Sequence, residues 1–380
     1  MNQIKFNEPY LTHQEIEYIK DVFSQKRFYG AGKYTLLCEE KISSIVGSNN
    51  VLLTDSCTAA LEIAALLLRD FSKKQEVIVP SYTFTSTASA FARAGFDIVF
   101  CEVNDFDLMM DVEDVNSKIT KDTTAIIPVH YGGMCADIEN ICKIAKDNNL
   151  IVVEDGAQAF GSYLNQKHLG TYGDFGCFSF HETKNIHCGL GGALIVNNNE
   201  FVDRSRHIWE RGTNRQEVLK GLADKYSWVE IGGSFYPTEL QAAFLFAQLE
   251  NLDSNMDSRR EIHNSYRQGL LELRNQNKIW FPDSQHGFET NYHAFYVIFE
   301  TELLTDKLRK HLVSNDVHAF IGYVPLHSSP IGLKMGNKPD FLPLTERVAK
   351  CVLRLPLHNN MCADSAKKVC SLIEEFFDGK

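Results

Sequence analysis

The chain has 380 residues, 44% of them hydrophobic, and its 38 Lys and Arg against 49 Asp and Glu leave a formal net charge of −11. That length suits two domains sharing a core, and the ordinary composition excludes disordered and fibrous classes. An acid excess without a basic stretch argues against nucleic-acid binding, which needs cations clustered on phosphates.

The first residues, Met1 to Asn7, carry no apolar stretch behind a basic one, so no export signal is expected. No run approaches the roughly 18 apolar residues of a membrane span. The ten cysteines include no CxxC pair, so no tetrahedral metal site is expected. Together these features predict a cytoplasmic protein with reduced thiols.

Between about residues 50 and 200, apolar runs rich in β-branched residues (76–80, 97–103, 124–130, 150–154 and 193–197) alternate with segments of helical spacing (59–69, 86–94 and 138–148). This alternation predicts an α/β fold with a mostly parallel sheet flanked by helices. In such sheets ligands bind beyond the carboxyl ends of the strands. A helix is expected over 240–252, followed by a polar helix (258–273), a strand (293–299), a helix (305–313), a strand (317–323) and an amphipathic helix (363–377). These segments predict a smaller C-terminal α/β domain, giving a large domain over 1–250 and a small one over 251–380.

Four stretches stand where strands end. In Thr54-Asp55-Ser56-Cys57-Thr58-Ala59, small hydroxyl residues open a good helix. They read either as a simple N-cap or as a phosphate site on the helix N-terminus. In Pro80 to Thr87, Phe84 is either a core residue or a ring that stacks on a flat ligand. Val152-Val153-Glu154-Asp155-Gly156-Ala157-Gln158 runs from apolar residues into two carboxylates. Asp155 reads as a turn residue or as an acid that keeps a cofactor's ring nitrogen protonated. In Phe178 to Asn185, Lys184 sits between an aromatic strand and the turn Gly189-Leu190-Gly191-Gly192. It is either a surface lysine or a buried amine whose lowered pKa makes it a nucleophile and Schiff-base former.

Taken in this order, the stretches resemble the DegT/DnrJ sugar-aminotransferase family of fold-type I pyridoxal 5'-phosphate (PLP) enzymes. The resemblance runs from Gly30-Ala31-Gly32 to Arg354-Leu355-Pro356-Leu357. It is nearest to the subgroup that transaminates dTDP-4-dehydro-6-deoxy-D-glucose to dTDP-4-amino-4,6-dideoxygalactose for surface polysaccharide such as O-antigen. That finer match is carried by Pro80 to Thr87, Pro128 to Tyr131, Phe178 to Asn185, Gly212 to Arg215 and Tyr323 to His327.

The resemblance implies that Lys184 carries the cofactor and shuttles the proton, and that Asp155 pairs with the pyridine nitrogen. It places Gln158 near the ring hydroxyl and Phe84 against the ring. Ser56, Cys57, Thr58 and Ser179 would form the phosphate cradle. Asn214, Arg215, His293, Tyr323 and His327 would lie near the sugar nucleotide. Ser234 stands where many members have an asparagine that reaches the neighbouring subunit's phosphate, and Leu190 where many have a glutamate. Lysine is kept where dehydratase members have histidine. The resemblance further implies L-glutamate as donor, pyridoxamine 5'-phosphate as the amine form between half-reactions, and a homodimer with shared active sites. Amination at C3, a UDP- or GDP-linked sugar, an ordinary amino-acid substrate and a non-catalytic regulatory protein of the same fold are the rival readings.

Overall fold

A computed structural model describes residues 3–71, 75–283 and 286–379. Its strands in chain order are β1 (Val51–Thr54), β2 (Glu76–Pro80), β3 (Asp97–Cys101), β4 (Thr123–Ile126), β5 (Ile151–Asp155), β6 (Tyr163–Leu164), β7 (Lys167–His168), β8 (Phe175–Ser179), β9 (Gly192–Val196), β10 (Phe288–Glu289), β11 (Phe295–Ile298), β12 (Phe320–Ile321) and β13 (Val352–Leu355). Seven of them form the central sheet in the order β1-β9-β8-β5-β4-β2-β3. The pairs from β8 to β3 are parallel, whereas β9 runs antiparallel to both β8 and β1. The carboxyl ends of β1, β2, β5 and β8 and the start of β9 therefore share one edge.

Both faces of this sheet are buried, which explains why its strands read as unbroken apolar runs. Successive side chains enter different cores. Val77, Val79, Ala125, Ile127, Ile151 and Val153 pack with Leu61, Ala64, Leu68 and Phe91 from the helices Cys57–Phe71 and Thr85–Arg93. Ile78, Ile126 and Val152 pack on the other side with Ile138, Ile141 and Ala145 of the helix Ile138–Asp147. The strand expected over 124–130 stops pairing at Ile126, and one isolated bridge, Val129 to Asp155, follows. Pro128 lies between them and has no N–H to donate.

The C-terminal sheet, β11-β13-β12, is antiparallel. The helices Leu252–Asn275, Glu302–Ser314 and Ala363–Asp378 cover it around a core running from Ile262 to Ile373. The strand expected over 317–323 is only Phe320–Ile321, because Val317 bridges instead to Ile4, which packs against this same core. No helix among the described residues is long and apolar enough to cross a membrane.

The helix Glu239–Glu250 carries an acid in its first turn that serves a different helix. Glu239 is buried and accepts hydrogen bonds from the backbone N–H groups of Gly32, Tyr34 and Thr35 at 2.9, 2.8 and 3.2 Å. These are the orphan donors at the start of the helix Lys33–Val46, satisfied from a distance in sequence of about 200 residues.

Candidate active site

At the shared sheet edge lies a cavity of about 440 Å³, within the usual range for small-molecule sites. Its wall includes Ser56, Cys57, Thr58, Phe84, Asp155, Ala157, Gln158, Ser179, Lys184, Leu190 and Tyr323.

The adjacent acids of β5 part company by strand alternation. Glu154 is fully buried and accepts from the N–H groups of Gly170, Tyr172 and Gly173, each at 2.7 Å. His130 Nε2 donates to it at 2.9 Å, because Nδ1 already accepts from Ala136 N–H. Glu154 is thus a structural clasp for the 170–173 turn. Glu154→Gln would turn an NH₂ group toward donors that need an acceptor. Leaving such groups unsatisfied costs about 1–3 kcal/mol each, so a loss of roughly 3 kcal/mol or more is expected from the denaturation midpoint and slope.

Asp155 faces the cavity instead. Thr87 Oγ1 donates to one of its oxygens at 2.7 Å and Ala157 N–H to the other at 3.1 Å. No arginine or lysine forms an ion pair with it among the described residues. Burial holds its pKa above the usual carboxylate range, against the pull of Thr87, Ala157, Lys184 and His130.

Lys184 lies in the excursion between β8 and β9, which Phe180 N–H and Glu182 N–H close by donating to the carbonyls of Gly191 and Gly189 at 2.8 and 2.9 Å. Burial lowers the pKa of its amine, opposed by Cys57 and Asp155 and reinforced by Arg354. The backbone beside it is fixed. Asn185 Nδ2 donates to Asn291 O at 2.7 Å, and Asn185 O accepts from Asn255 Nδ2 at 2.6 Å. The turn after the lysine keeps its shape with Leu190 in the acid's place. Gly189 has φ +78°, and a Cβ on Gly192 would sit 2.4 Å from Cys57 N, so only glycine lets β9 approach the Ser56–Cys57 corner.

The other walls follow from the elements that carry them. Ser56 caps the helix Cys57–Phe71, its Oγ accepting from Ala59 N–H at 3.1 Å, which leaves the first N–H groups of that helix facing the cavity edge. Phe84 precedes the helix Thr85–Arg93 and is 57% exposed, an aromatic face without cover. Gln158 accepts from Gly132 N–H at 2.7 Å and donates to Tyr323 OH at 3.2 Å.

Of the residues singled out from sequence, Ser56, Cys57, Thr58, Phe84, Asp155, Gln158, Ser179, Lys184 and Tyr323 meet in this cavity. His293 lines a small adjoining cleft with Lys184 and Ser179, its Nδ1 bonded to Asn185 Oδ1 at 2.9 Å. Four lie elsewhere. His327 is fully enclosed, between Ser81 Oγ at 2.7 Å and Pro339 O at 3.3 Å. Arg215 pairs with buried Glu210 at 2.5 Å and with Tyr29 OH at 2.8 Å. Asn214 staples its own loop, through Lys225 O and Ser227 N–H. Ser234 is exposed, beside Glu210 in an isolated bridge. Thr87, which holds the acid, and Asn185, which fixes the backbone beside the lysine, fall inside runs that carry the resemblance but were given no role of their own there.

The arrangement fits pyridoxal phosphate. It offers an acid without a cationic partner, an amine of lowered pKa in the same cavity, an uncovered ring, and hydroxyls and N–H groups at a helix start for a phosphate.

A model of the DegT/DnrJ/EryC1/StrS aminotransferase family matches residues 9–374. GDP-perosamine synthase of Escherichia coli O157:H7 is 30% identical over 380 residues, 100% of each chain. The dTDP-4-dehydro-2,3,6-trideoxy-D-glucose 4-aminotransferase of Saccharopolyspora spinosa is 27% identical, over 98% of this chain and 96% of its own. Among solved structures, S. venezuelae DesV in complex with a ketimine intermediate matches with a TM-score of 0.89 at 27% identity, covering 99% of both chains.

Proposed function

This chain belongs to the DegT/DnrJ/EryC1/StrS aminotransferase family and is a PLP-dependent sugar aminotransferase; from that premise we propose that it transfers the amino group of L-glutamate to the C4 ketone of dTDP-4-dehydro-6-deoxy-D-glucose. The observation that carries the chemistry is the meeting of Lys184 and Asp155 in one cavity. The choice of sugar rests on the sequence runs Pro80 to Thr87, Pro128 to Tyr131, Gly212 to Arg215 and Tyr323 to His327.

Bound here, the cofactor supplies an electron-accepting pyridine ring and the carbon that carries the amino group from donor to acceptor. Lys184 would hold it covalently and, once displaced, its amine would take the donor's α-proton, work that an amine of lowered pKa suits. Asp155 would keep a proton on the ring nitrogen, and Thr87 and Ala157 N–H would fix the orientation of its carboxylate. Gln158 would contact the ring hydroxyl, and Phe84 would cover the ring. Ser56, Cys57 and Thr58 with Ser179 would hold the phosphate.

The functional unit in this reading is a homodimer. Asn214, Arg215 and Ser234 stand away from their own chain's cavity, on a segment where Leu222 and Trp228 are each 76% exposed and Ile231 is 66% exposed. An apolar surface of that kind is suited to a second copy, which would bring Ser234 to the partner's phosphate.

One of the relatives is named for a GDP-linked sugar and another for a dTDP-linked one, so the assay should compare dTDP-, GDP- and UDP-linked 4-keto-6-deoxysugars with glutamate as donor. Turnover of the dTDP sugar, with NMR placing the new amine at C4, is the expected result, and the same spectra read whether the product is galacto or gluco. Turnover of the GDP sugar alone, or an amine at C3, would replace this assignment.

A further inference from the structure

We propose that His293 is a positioning residue for Lys184: its Nε2 accepts, through one bridging water in the small cleft beside the main cavity, the hydrogen bond that holds the freed amine. The inference rests on the aminotransferase reading, and it moves His293 from the sugar nucleotide to the reactive lysine.

The tautomer of His293 is decided by a chain of three residues. The carbonyl of Asn291 can only accept, and Asn185 Nδ2 donates to it at 2.7 Å. Asn185 Oδ1 therefore faces the imidazole, where Nδ1 lies 2.9 Å away. Nδ1 thus carries the proton and Nε2 the lone pair. Asn291 is fixed in turn. Its Nδ2 donates to Gln158 O and Phe160 O at 2.7 and 3.0 Å, and its Oδ1 accepts from His293 N–H at 3.0 Å. The carbonyl of His293 accepts from Arg259 at 2.6 Å, so the backbone is held as well. Nε2 makes no hydrogen bond with any described residue. Burial, with the charges of Lys184, Arg259 and Arg354, holds the imidazole well below the usual histidine range. The ring stays neutral around neutral pH, with its acceptor open.

The cleft that His293 shares with Lys184 and Ser179 measures about 10 Å³, the room of about one water with polar partners around it. Once displaced and protonated, the Lys184 amine is an ammonium in an enclosed site. Burial disfavours that charge, Cys57 and Asp155 favour it, and Arg354 opposes it. Asp155 is already engaged by Thr87 and Ala157 N–H. An enclosed charge without acceptors is costly, and an acceptor favours the charged form. Nε2 supplies that acceptor from the lead-in of β11.

The test separates the two ring nitrogens. His293→Asn keeps a donor at the Nδ1 position for Asn185 and offers nothing where Nε2 stood. His293→Gln places a carbonyl oxygen near the Nε2 position. In the cofactor-free proteins, the pH dependence of dinitrophenylation at Lys184, read by peptide mapping, gives the pKa of its amine. His293→Asn should lower that pKa by about one pH unit, the scale of a hydrogen bond to a charged group, and His293→Gln should restore part of the shift. In steady-state kinetics His293→Asn should lower kcat about tenfold, the equivalent of one pH unit, with KM for glutamate and for the keto sugar unchanged. Nitrogen-15 spectra of the histidine-labelled wild type should show a neutral His293 with its proton on Nδ1.

The same Lys184 titration in the wild type and both variants would overturn the proposal, as would a proton on Nε2 of the wild-type ring. A rise in KM for the keto sugar with kcat unchanged would return His293 to the sugar nucleotide. Because the titration and the spectra need neither substrate nor turnover, they report on His293 even if the assigned sugar proves wrong.

Discussion

Lys184→Ala should yield a folded protein with the wild-type melting temperature and at least about ten-thousand-fold lower multiple-turnover activity. Among the described residues the Lys184 side chain makes no hydrogen bond or ion pair; the contacts that order this segment come from its neighbour Asn185 and from the 180–191 backbone. Truncation removes a buried amine from an apolar wall, a change the core tolerates. The loss of function is large because one group performs two tasks, nucleophile and proton carrier, and positioned acid–base groups alone contribute about 10²–10⁴-fold. Borohydride treatment of the loaded wild type followed by peptide mapping should mark Lys184 and no other lysine. Full turnover by the alanine variant would remove the basis of the mechanism.

Asp155→Asn is expected to lower kcat by about a hundred- to a thousand-fold, the usual scale for removing one preorganised electrostatic partner, and yet to stabilise the cofactor-free protein. Burial raises the folded-state pKa of this carboxyl above its unfolded value. The folded state therefore holds its proton more tightly than the unfolded one, so ionisation at higher pH works against folding and acidification relieves it. Asparagine removes that penalty. The Thr87 hydroxyl, which also contacts Thr83 Oγ1 at 2.9 Å, is free to reorient and accept from the new NH₂ group. Melting temperatures of the two cofactor-free proteins should differ in favour of Asp155→Asn at neutral pH and converge as pH falls toward the carboxyl range. A variant that is less stable at every pH would show that Asp155 is held in place for structural reasons.

The strands and most of the cavity wall were legible in sequence for a physical reason. A sheet buried on both faces forces continuous β-branched runs, and the chemistry sits where those runs stop. The helix over 138–148 and its period were readable because Ile138, Ile141 and Ala145 all face one core. The resemblance singled out Asp155 over its neighbour Glu154, but the physical reason for that choice could not be read from the residues. Glu154 and Asp155 are equivalent on paper, and only the position of the 170–173 turn decides that Glu154 is enclosed. His327 and Arg215 were drawn into the substrate set by their motifs, but Ser81 and Glu210, 246 and five positions away, hold them elsewhere.

The bonds that Asn185 makes to Asn255 and Asn291 also set where this molecule can give way. They tie the segment bearing the reactive amine to the helix Leu252–Asn275 and to the lead-in of β11, so that segment cannot shift without breaking short, enclosed contacts. The floor of the chamber is its stiff part, and the lip formed by Phe84 and Leu190, both exposed, is where a bulky guest has room to push.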